Sequence, residues 1–141
     1  MPESTIDVLV VDDDPTAREM LSLTLQEAGY LVREACDGWE ALSLIFHTSC
    51  RVVLTDFQMP RMNGLRLFEY LRAGWPRTSI IFMSAGPSDL AEAIIARGAH
   101  AWIRKPFADH ILLAAVNSAI QFARRDINES EHQRRPSIGL L

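Results

Sequence analysis

Three short runs of the sequence are almost continuously apolar, without the alternation of apolar and polar residues that marks a strand with one solvated face. They are IDVLVV at residues 6–11, VVLT at 52–55 and SIIFM at 79–83. This pattern predicts strands that are buried on both faces, which is typical of parallel sheets covered by helices on either side. The runs therefore indicate an α/β fold.

Helical periodicity fills most of the intervening sequence. Asp14 can cap a first helix that has Pro15 in its first turn and ends at Gly29. Four further helices are predicted, together with short strands at 30–35 and 101–103: a helix after Asp37-Gly38, one around residues 65–72, one starting at Ser88-Asp89 and one from Asp109 to Arg124-Arg125. Five strands alternating with five helices predict a doubly wound parallel sheet with right-handed crossovers.

The composition is that of one soluble globular domain. The 141 residues include 48% hydrophobic and 23% charged residues, and the formal net charge of −4 argues against a nucleic-acid-binding surface. No apolar run is long enough to cross a membrane, and no signal peptide is recognisable. Cys36 and Cys50 have no metal or redox spacing, so we expect a reducing, cytoplasmic location.

The C-terminal segment differs from the rest of the chain. Residues 1–125 are predicted to form the domain, whereas residues 126–141 are mostly polar and lack periodicity. We expect this segment to be a frayed extension or a linker. The chain is expected to be either a stand-alone protein or a fragment of a longer one, and the Arg134-Arg135-Pro136 string, which suits a linker, slightly favours the fragment.

Polar residues follow four of the predicted strands. Asp12-Asp13, Asp56, Ser84 and Lys105 stand at or just beyond the carboxyl ends of strands 1, 3, 4 and 5. The carboxyl ends of parallel strands share one edge of the sheet, so these side chains are expected to meet in one crevice. Three carboxylates at close range need a cation, and oxygen ligands suit Mg²⁺. Together with a lysine and a hydroxyl, this set is suited to phosphoryl transfer.

Four motifs in this order resemble the receiver domain of two-component response regulators, of the chemotaxis-regulator type. They are VLVVDDDP, LTDFQMPRMNG, FMSA and IRKPF, and the resemblance spans residues 6–124. It implies a flavodoxin-like fold with strand order 2-1-3-4-5 and helices on both faces. It also implies that Asp56 accepts a phosphoryl group from a sensor histidine kinase or a histidine phosphotransfer protein, in a signalling domain that does not turn over a separate substrate.

The resemblance also implies the metal ligands. Asp13 would bind Mg²⁺ directly and Asp12 mostly through water. Asp56 and the main-chain carbonyl of Gln58 would complete the protein ligands. Gln58 and Gly86 correspond to positions that tune self-dephosphorylation.

The remaining implied roles belong to a switch. Ser84 occupies the switch hydroxyl position, and Lys105, in a cis peptide bond with Pro106, is the lysine that contacts the phosphate. Trp102 stands where the family usually has tyrosine or phenylalanine, so its larger indole ring is expected to alter the switch. Phosphorylation would reshape the surface of helix 4, strand 5 and helix 5.

That surface would control a downstream effector or an output domain, and a phosphorylation-dependent homodimer is a further expected form. Residues 98–102 lack the charged pattern that the winged-helix subfamily uses for dimerisation. We expect neither nucleic-acid contact by this domain nor membrane contact.

Two alternatives remain open. Asp12-Asp13-Asp14-Pro15-Thr16 is also a D-x-D-x-T string, as in phosphatases of the haloacid dehalogenase type, but no acidic pair follows Lys105 and there is no room for a cap domain. A degenerate receiver that serves only as a docking module is disfavoured by the complete set of site residues.

Overall fold

A computed structural model describes residues 5–86 and 89–134, with side chains up to residue 123. Strands and helices alternate along the chain from the first strand to the last helix. The strands are β1 (Ile6–Val11), β2 (Val32–Ala35), β3 (Cys50–Asp56), β4 (Ser79–Ser84) and β5 (Ala101–Arg104). The helices are α1 (Pro15–Glu27), α2 (Gly38–His47), α3 (Gly64–Gly74), α4 (Ala91–Ala96) and α5 (Asp109–Arg134).

The five strands form one parallel sheet in the order β2-β1-β3-β4-β5, so the predicted fold class is confirmed. The register aligns the carboxyl ends of β3, β4 and β5. Asp56 lies beside Met83, and Ser84 lies beside Arg104. This alignment places the polar residues that follow the strands along one edge.

The continuous apolar runs are buried on both faces, as predicted. In β1, Leu9 and Val11 belong to the core that α2, α3 and α4 cover, whereas Val8 and Val10 belong to the core that α1 and α5 cover. All four side chains are fully buried. Each contributes on the order of 1.5–3 kcal/mol to folding through removal of its apolar surface from water.

The cap predicted for α1 at Asp14 is present, and α2 and α3 have caps that were not predicted. The Asp14 carboxylate accepts a hydrogen bond from the Thr16 N–H, Pro15 opens α1, and Gly29 follows its end with φ of +98°. Asp37 caps α2 in the same way, and Asn63 caps α3.

Helix α4 begins later than predicted. Its first residue is Ala91, and Leu90 stands at the cap position without a capping side chain. Asp89 lies in the preceding turn, and Ser88 lies outside the described residues. Asp89 therefore does not cap this helix. Short polar side chains favour turns as well as helix caps, and Asp89 lies in a turn.

Helix α5 continues to Arg134, beyond the end predicted at Arg124-Arg125. The apolar stripe does end there, but residues 126–134 include glutamate, glutamine and arginine, which have good helix propensity. Extending a helix that is already formed avoids the cost of nucleation. The division of the chain at residue 125 stays a prediction, and residues 135–141 lie outside the described part.

None of the helices in the described ranges has both the length and the hydropathy needed to span a membrane.

Candidate functional site

Three carboxylates meet at the carboxyl edge of the sheet. Asp12 and Asp13 follow β1, and Asp56 ends β3. One carboxylate oxygen from each lies within 4.8 Å of the other two. Asp12 is only 1% exposed, whereas Asp13 faces solvent and Asp56 is intermediate. The predicted convergence of these residues is therefore present.

Burial makes the charge on Asp12 costly. Desolvation raises the pKa of Asp12, and the negative charge of Asp56 adds to this effect. The main-chain N–H of Asp14, which donates to Asp12 Oδ1 at 2.9 Å, and the ammonium of Lys105 act in the opposite direction. The net increase in the pKa means that the surroundings disfavour the charged form of Asp12.

Lys105 supplies one such charge from the residue after β5. Its Nζ atom lies 3.1 Å from Asp56 Oδ2 and 3.5 Å from Asp12 Oδ2. Burial alone would lower the pKa of Lys105, but the charges of Asp56 and Asp12 outweigh it and raise the pKa. The ammonium is therefore held in its charged form. The Lys105-Pro106 peptide bond is cis, as the resemblance implied.

The loop after Asp56 turns back onto the strand. The Gln58 N–H points to Asp56 Oδ1 at 3.4 Å, and the Gly64 N–H donates to the Phe57 carbonyl at 2.7 Å. A Cβ atom on Gly64 would lie 2.8 Å from the Phe57 Cα and 2.9 Å from the Asp56 carbonyl oxygen. Only glycine allows this close backbone approach, and the approach fixes the loop beside Asp56.

The same loop is anchored on α2. Met62 is fully buried against Gly38, where a Cβ atom would lie 2.6 Å from its sulfur. Arg61 adopts a left-handed conformation with φ of +68°, and its guanidinium forms an ion pair with the cap residue Asp37 at 3.2 Å. These contacts fix the path of the segment that includes Gln58.

Ser84 is buried at the end of β4 and is 4% exposed. Its hydroxyl oxygen accepts a hydrogen bond from the Gly86 N–H at 3.2 Å, and its carbonyl accepts one from the Lys105 N–H at 2.8 Å. Ser84 and Lys105 are therefore neighbours, as predicted. Within the described residues the hydroxyl bonds to its own turn and not to Asp56.

Trp102 packs against aromatic side chains near the site. Its ring centroid lies 4.9 Å from that of Phe57 and 5.7 Å from that of Phe82. The indole Nε1 is buried and has no hydrogen-bond partner among the described residues. Phe57 directly follows Asp56, so the acidic residue and the predicted switch aromatic are connected through a single side chain.

The sequence interpretation missed Phe57 and Arg18. The Arg18 side chain reaches back from α1, where its Nη1 donates to the Asp12 carbonyl oxygen at 2.8 Å and its Nε to Glu34 at 3.1 Å. A signal was present, since Arg18 stands one helical turn after the cap residue Asp14 of an acidic loop. An arginine at such a position is too common to single out by itself.

Comparisons with known proteins agree with this arrangement. The sequence matches the family described as response regulator receiver domain over residues 8–117. The response regulator MprA of Mycobacterium sp. (strain KMS) is 37% identical over 116 residues, which cover 81% of this chain and 50% of that protein. The DNA-binding response regulator MtrA of Mycolicibacterium smegmatis is 35% identical over 136 residues, which cover 94% of this chain and 56% of that protein.

Among solved structures, a response regulator receiver domain protein from Clostridium thermocellum superposes with a TM-score of 0.79 at 27% identity, covering 88% of this chain and 98% of the other. The chain spans about half the length of the curated relatives that it matches. The match extends over most of the sequence and includes residues of all five strands. The chain therefore belongs to the receiver-domain family of two-component response regulators, a family of signalling domains.

Proposed function

We propose that this domain is a phosphorylation-activated receiver in a His-to-Asp phosphorelay and that Asp56 accepts the phosphoryl group. The observation that carries the proposal is the convergence of three carboxylates with the Lys105 ammonium at one edge of the sheet. This ammonium contacts both Asp56 and the buried Asp12, and the Asp56 side chain is partly accessible.

The donor set fits Mg²⁺. It consists of hard carboxylate oxygens, and Asp13 lies on the exposed side of the cluster. Asp12, Asp13, Asp56 and the Gln58 carbonyl are the residues that would hold the ion. When bound, Mg²⁺ neutralises charge on the transferred phosphoryl group.

In the proposed reaction, an Asp56 carboxylate oxygen attacks the phosphorus atom of a phosphohistidine. The new O–P bond forms as the P–N bond breaks, and the histidine leaves as a neutral imidazole after taking up a proton. The product is an acyl phosphate on Asp56. Lys105, already within 3.1 Å of Asp56, stabilises the negative charge on the phosphoryl oxygens.

Phosphorylation adds a charge of roughly −1.5 to −2 beside Lys105. The Ser84 hydroxyl, which now accepts from the Gly86 N–H, then turns to donate to a phosphoryl oxygen. Trp102 adjusts its packing against Phe57, and the surface of α4, β5 and α5 changes. A local charge thereby shifts a two-state surface.

The proposed donor is a sensor histidine kinase or a histidine phosphotransfer protein. A cavity of about 370 Å³ opens beside Lys105 between α1 and the segment that follows β5, and its lining includes Met20, Leu21 and Phe107. This apolar surface next to charged groups suits a protein donor. The receiver surface would act on an output domain or a separate effector, and we propose a cytoplasmic location.

The test is intact mass spectrometry after incubation with Mg²⁺ and a small phosphodonor such as acetyl phosphate or phosphoramidate. We expect one added phosphoryl group on the native chain and none on Asp56→Asn or in EDTA. Circular dichroism should show that the variant is folded. An unmodified native chain with both donors, or a phosphorylated Asp56→Asn variant, would contradict the assignment. Continuous release of phosphate from an unrelated ester would favour the phosphatase alternative.

A further inference from the structure

Arg18 connects the acidic loop to the neighbouring strand. Its guanidinium binds the main-chain carbonyl of Asp12 through Nη1 at 2.8 Å and the Glu34 carboxylate of β2 through Nε at 3.1 Å. The side chain is 19% exposed. A planar guanidinium that bridges two fixed acceptors holds their relative positions more closely than a flexible ammonium can.

The loop that Arg18 contacts carries negative charges that repel one another. Asp12, Asp13 and Asp14 are consecutive, and the first two must present their oxygens toward Asp56 despite mutual repulsion. Arg18 contacts the backbone of this loop, whereas Lys105 contacts the carboxylates directly. The two cations therefore have different contacts in the same site.

Two roles for Arg18 can be distinguished, because they predict opposite effects on the affinity for Mg²⁺. As a nearby positive charge, Arg18 would repel Mg²⁺, so its removal would tighten binding. As a residue that fixes the loop, it would keep the carboxylates of the acidic pair in position relative to Asp56, so its removal would weaken Mg²⁺ binding. Hydrogen-bond partners that lie behind metal ligands typically change metal affinity by about 10- to 100-fold when they are removed.

We infer that Arg18, oriented by Glu34, is a positioning residue that preorganises the Asp12–Asp13 pair for Mg²⁺. The inference rests on the proposed function, because it assumes that the acidic cluster binds this ion. The contact to a carbonyl favours the positioning role, since the guanidinium does not reduce the negative charge of the carboxylates by pairing with them.

The experiment is an NMR-monitored titration of Mg²⁺ into the unphosphorylated native chain and into the variants Arg18→Lys and Arg18→Gln. Arg18→Lys leaves the net charge unchanged and removes the planar guanidinium that contacts both Asp12 and Glu34. We expect Arg18→Lys to bind Mg²⁺ about tenfold more weakly than the native chain. Arg18→Gln should also bind more weakly, but by a smaller factor, because the loss of the positive charge partly offsets the loss of the contact. The matched control is Arg33→Gln, which removes one positive charge from an exposed position on β2 and should bind slightly more tightly.

Thermal unfolding in EDTA separates positioning from loss of structure. We expect the metal-free Arg18→Lys variant to unfold at nearly the native temperature, whereas its Mg²⁺-dependent increase in Tm should be smaller than that of the native chain. Native affinity in Arg18→Lys, or tighter binding in Arg18→Gln, would overturn the inference. Absence of Mg²⁺ binding by the native chain would instead contradict the proposed function.

Discussion

The Nζ atom of Lys105 lies 3.1 Å from Asp56 Oδ2, although the two residues are 49 positions apart in the sequence. Lys105 also lies within 3.5 Å of the buried Asp12. The lysine therefore already compensates the carboxylates that a metal ion would neutralise. A cation that enters this site competes with one that belongs to the chain.

Replacement of Lys105 by Met should therefore tighten Mg²⁺ binding in the unphosphorylated protein. Removal of a partly exposed charge at this distance is worth on the order of 1 kcal/mol, which corresponds to roughly fivefold in affinity. The metal-free variant should unfold at a lower temperature than the native chain, because the carboxylates lose their partner. NMR titration and thermal unfolding check both effects, and weaker Mg²⁺ binding would contradict the competition.

Gly64→Ala should destabilise the protein and disturb Asp56. The new Cβ would lie 2.8 Å from a backbone atom of Phe57 and 2.9 Å from the Asp56 carbonyl oxygen, and backbone cannot move aside as a flexible side chain can. We expect a decrease of about 1–3 kcal/mol in the free energy of unfolding and slower phosphorylation by acetyl phosphate. Urea denaturation and a time course of intact mass measure the two effects.

Gly74→Ala is the matched control at the other end of α3, where a Cβ would meet nothing within 4 Å. This substitution should leave phosphorylation unchanged and stability unchanged or increased by up to about 1 kcal/mol. Equal losses in the two alanine variants would show that the close approach at Gly64 is not the cause of the destabilisation.

Trp102→Phe should lower the free energy of unfolding by less than the decrease in side-chain volume alone would suggest. Phenylalanine retains contact with Phe57 and Phe82 and removes an indole N–H that is buried without a partner. The loss of packing and the relief of an unsatisfied donor, worth about 1–3 kcal/mol, act in opposite directions. We expect a change within about 1 kcal/mol in urea denaturation, against a loss of roughly 3 kcal/mol for Trp102→Ala. Equal destabilisation by both variants would contradict this balance.

His100 should make stability depend on pH. Burial lowers the pKa of His100 below its ordinary value of 6.5, and the ring bonds to the Ser118 hydroxyl at 2.9 Å. Between the two pKa values the unfolded chain binds more protons than the folded one. The contribution of His100 is therefore present above pH 6.5 and is lost as the pH falls from 6.5 through the folded pKa.

Thermal unfolding across this range should show a smaller decrease in Tm for His100→Gln than for the native chain. The same acid-side decrease in both proteins would assign the effect to other groups. Ser118→Ala provides a second check, since it removes the hydrogen bond while leaving the ring to titrate.

The parallel sheet and the convergence of the acidic residues could be predicted because each depends on a local pattern, whereas the strand order was implied by the family resemblance. Continuous apolar runs identify strands, and in a parallel sheet the residue that follows each strand is brought to a common edge. Asp12, Asp56 and Lys105 could therefore be grouped without knowledge of any distance.

Other features depend on packing or on propensity that the apolar pattern does not reveal. Arg18 and Phe57 contact residues that lie outside their own segments of the chain, and the local sequence around each does not identify those partners. The extension of α5 to Arg134 follows from helix propensity without an apolar stripe, and α4 begins without a capping side chain. The contacts between elements are visible only in the tertiary structure, whereas the extension of α5 could have been predicted from propensity.

The position of β5 at the edge of the sheet has a consequence for folding. Lys105 follows β5 and contacts Asp12 across 93 residues of sequence, so formation of the site requires closure of a long loop. An edge strand has one neighbour and can detach while the inner strands stay paired. Local opening at β5 would remove the lysine and leave the carboxylates uncompensated, so amide hydrogen exchange in β5 should report directly on the integrity of the site.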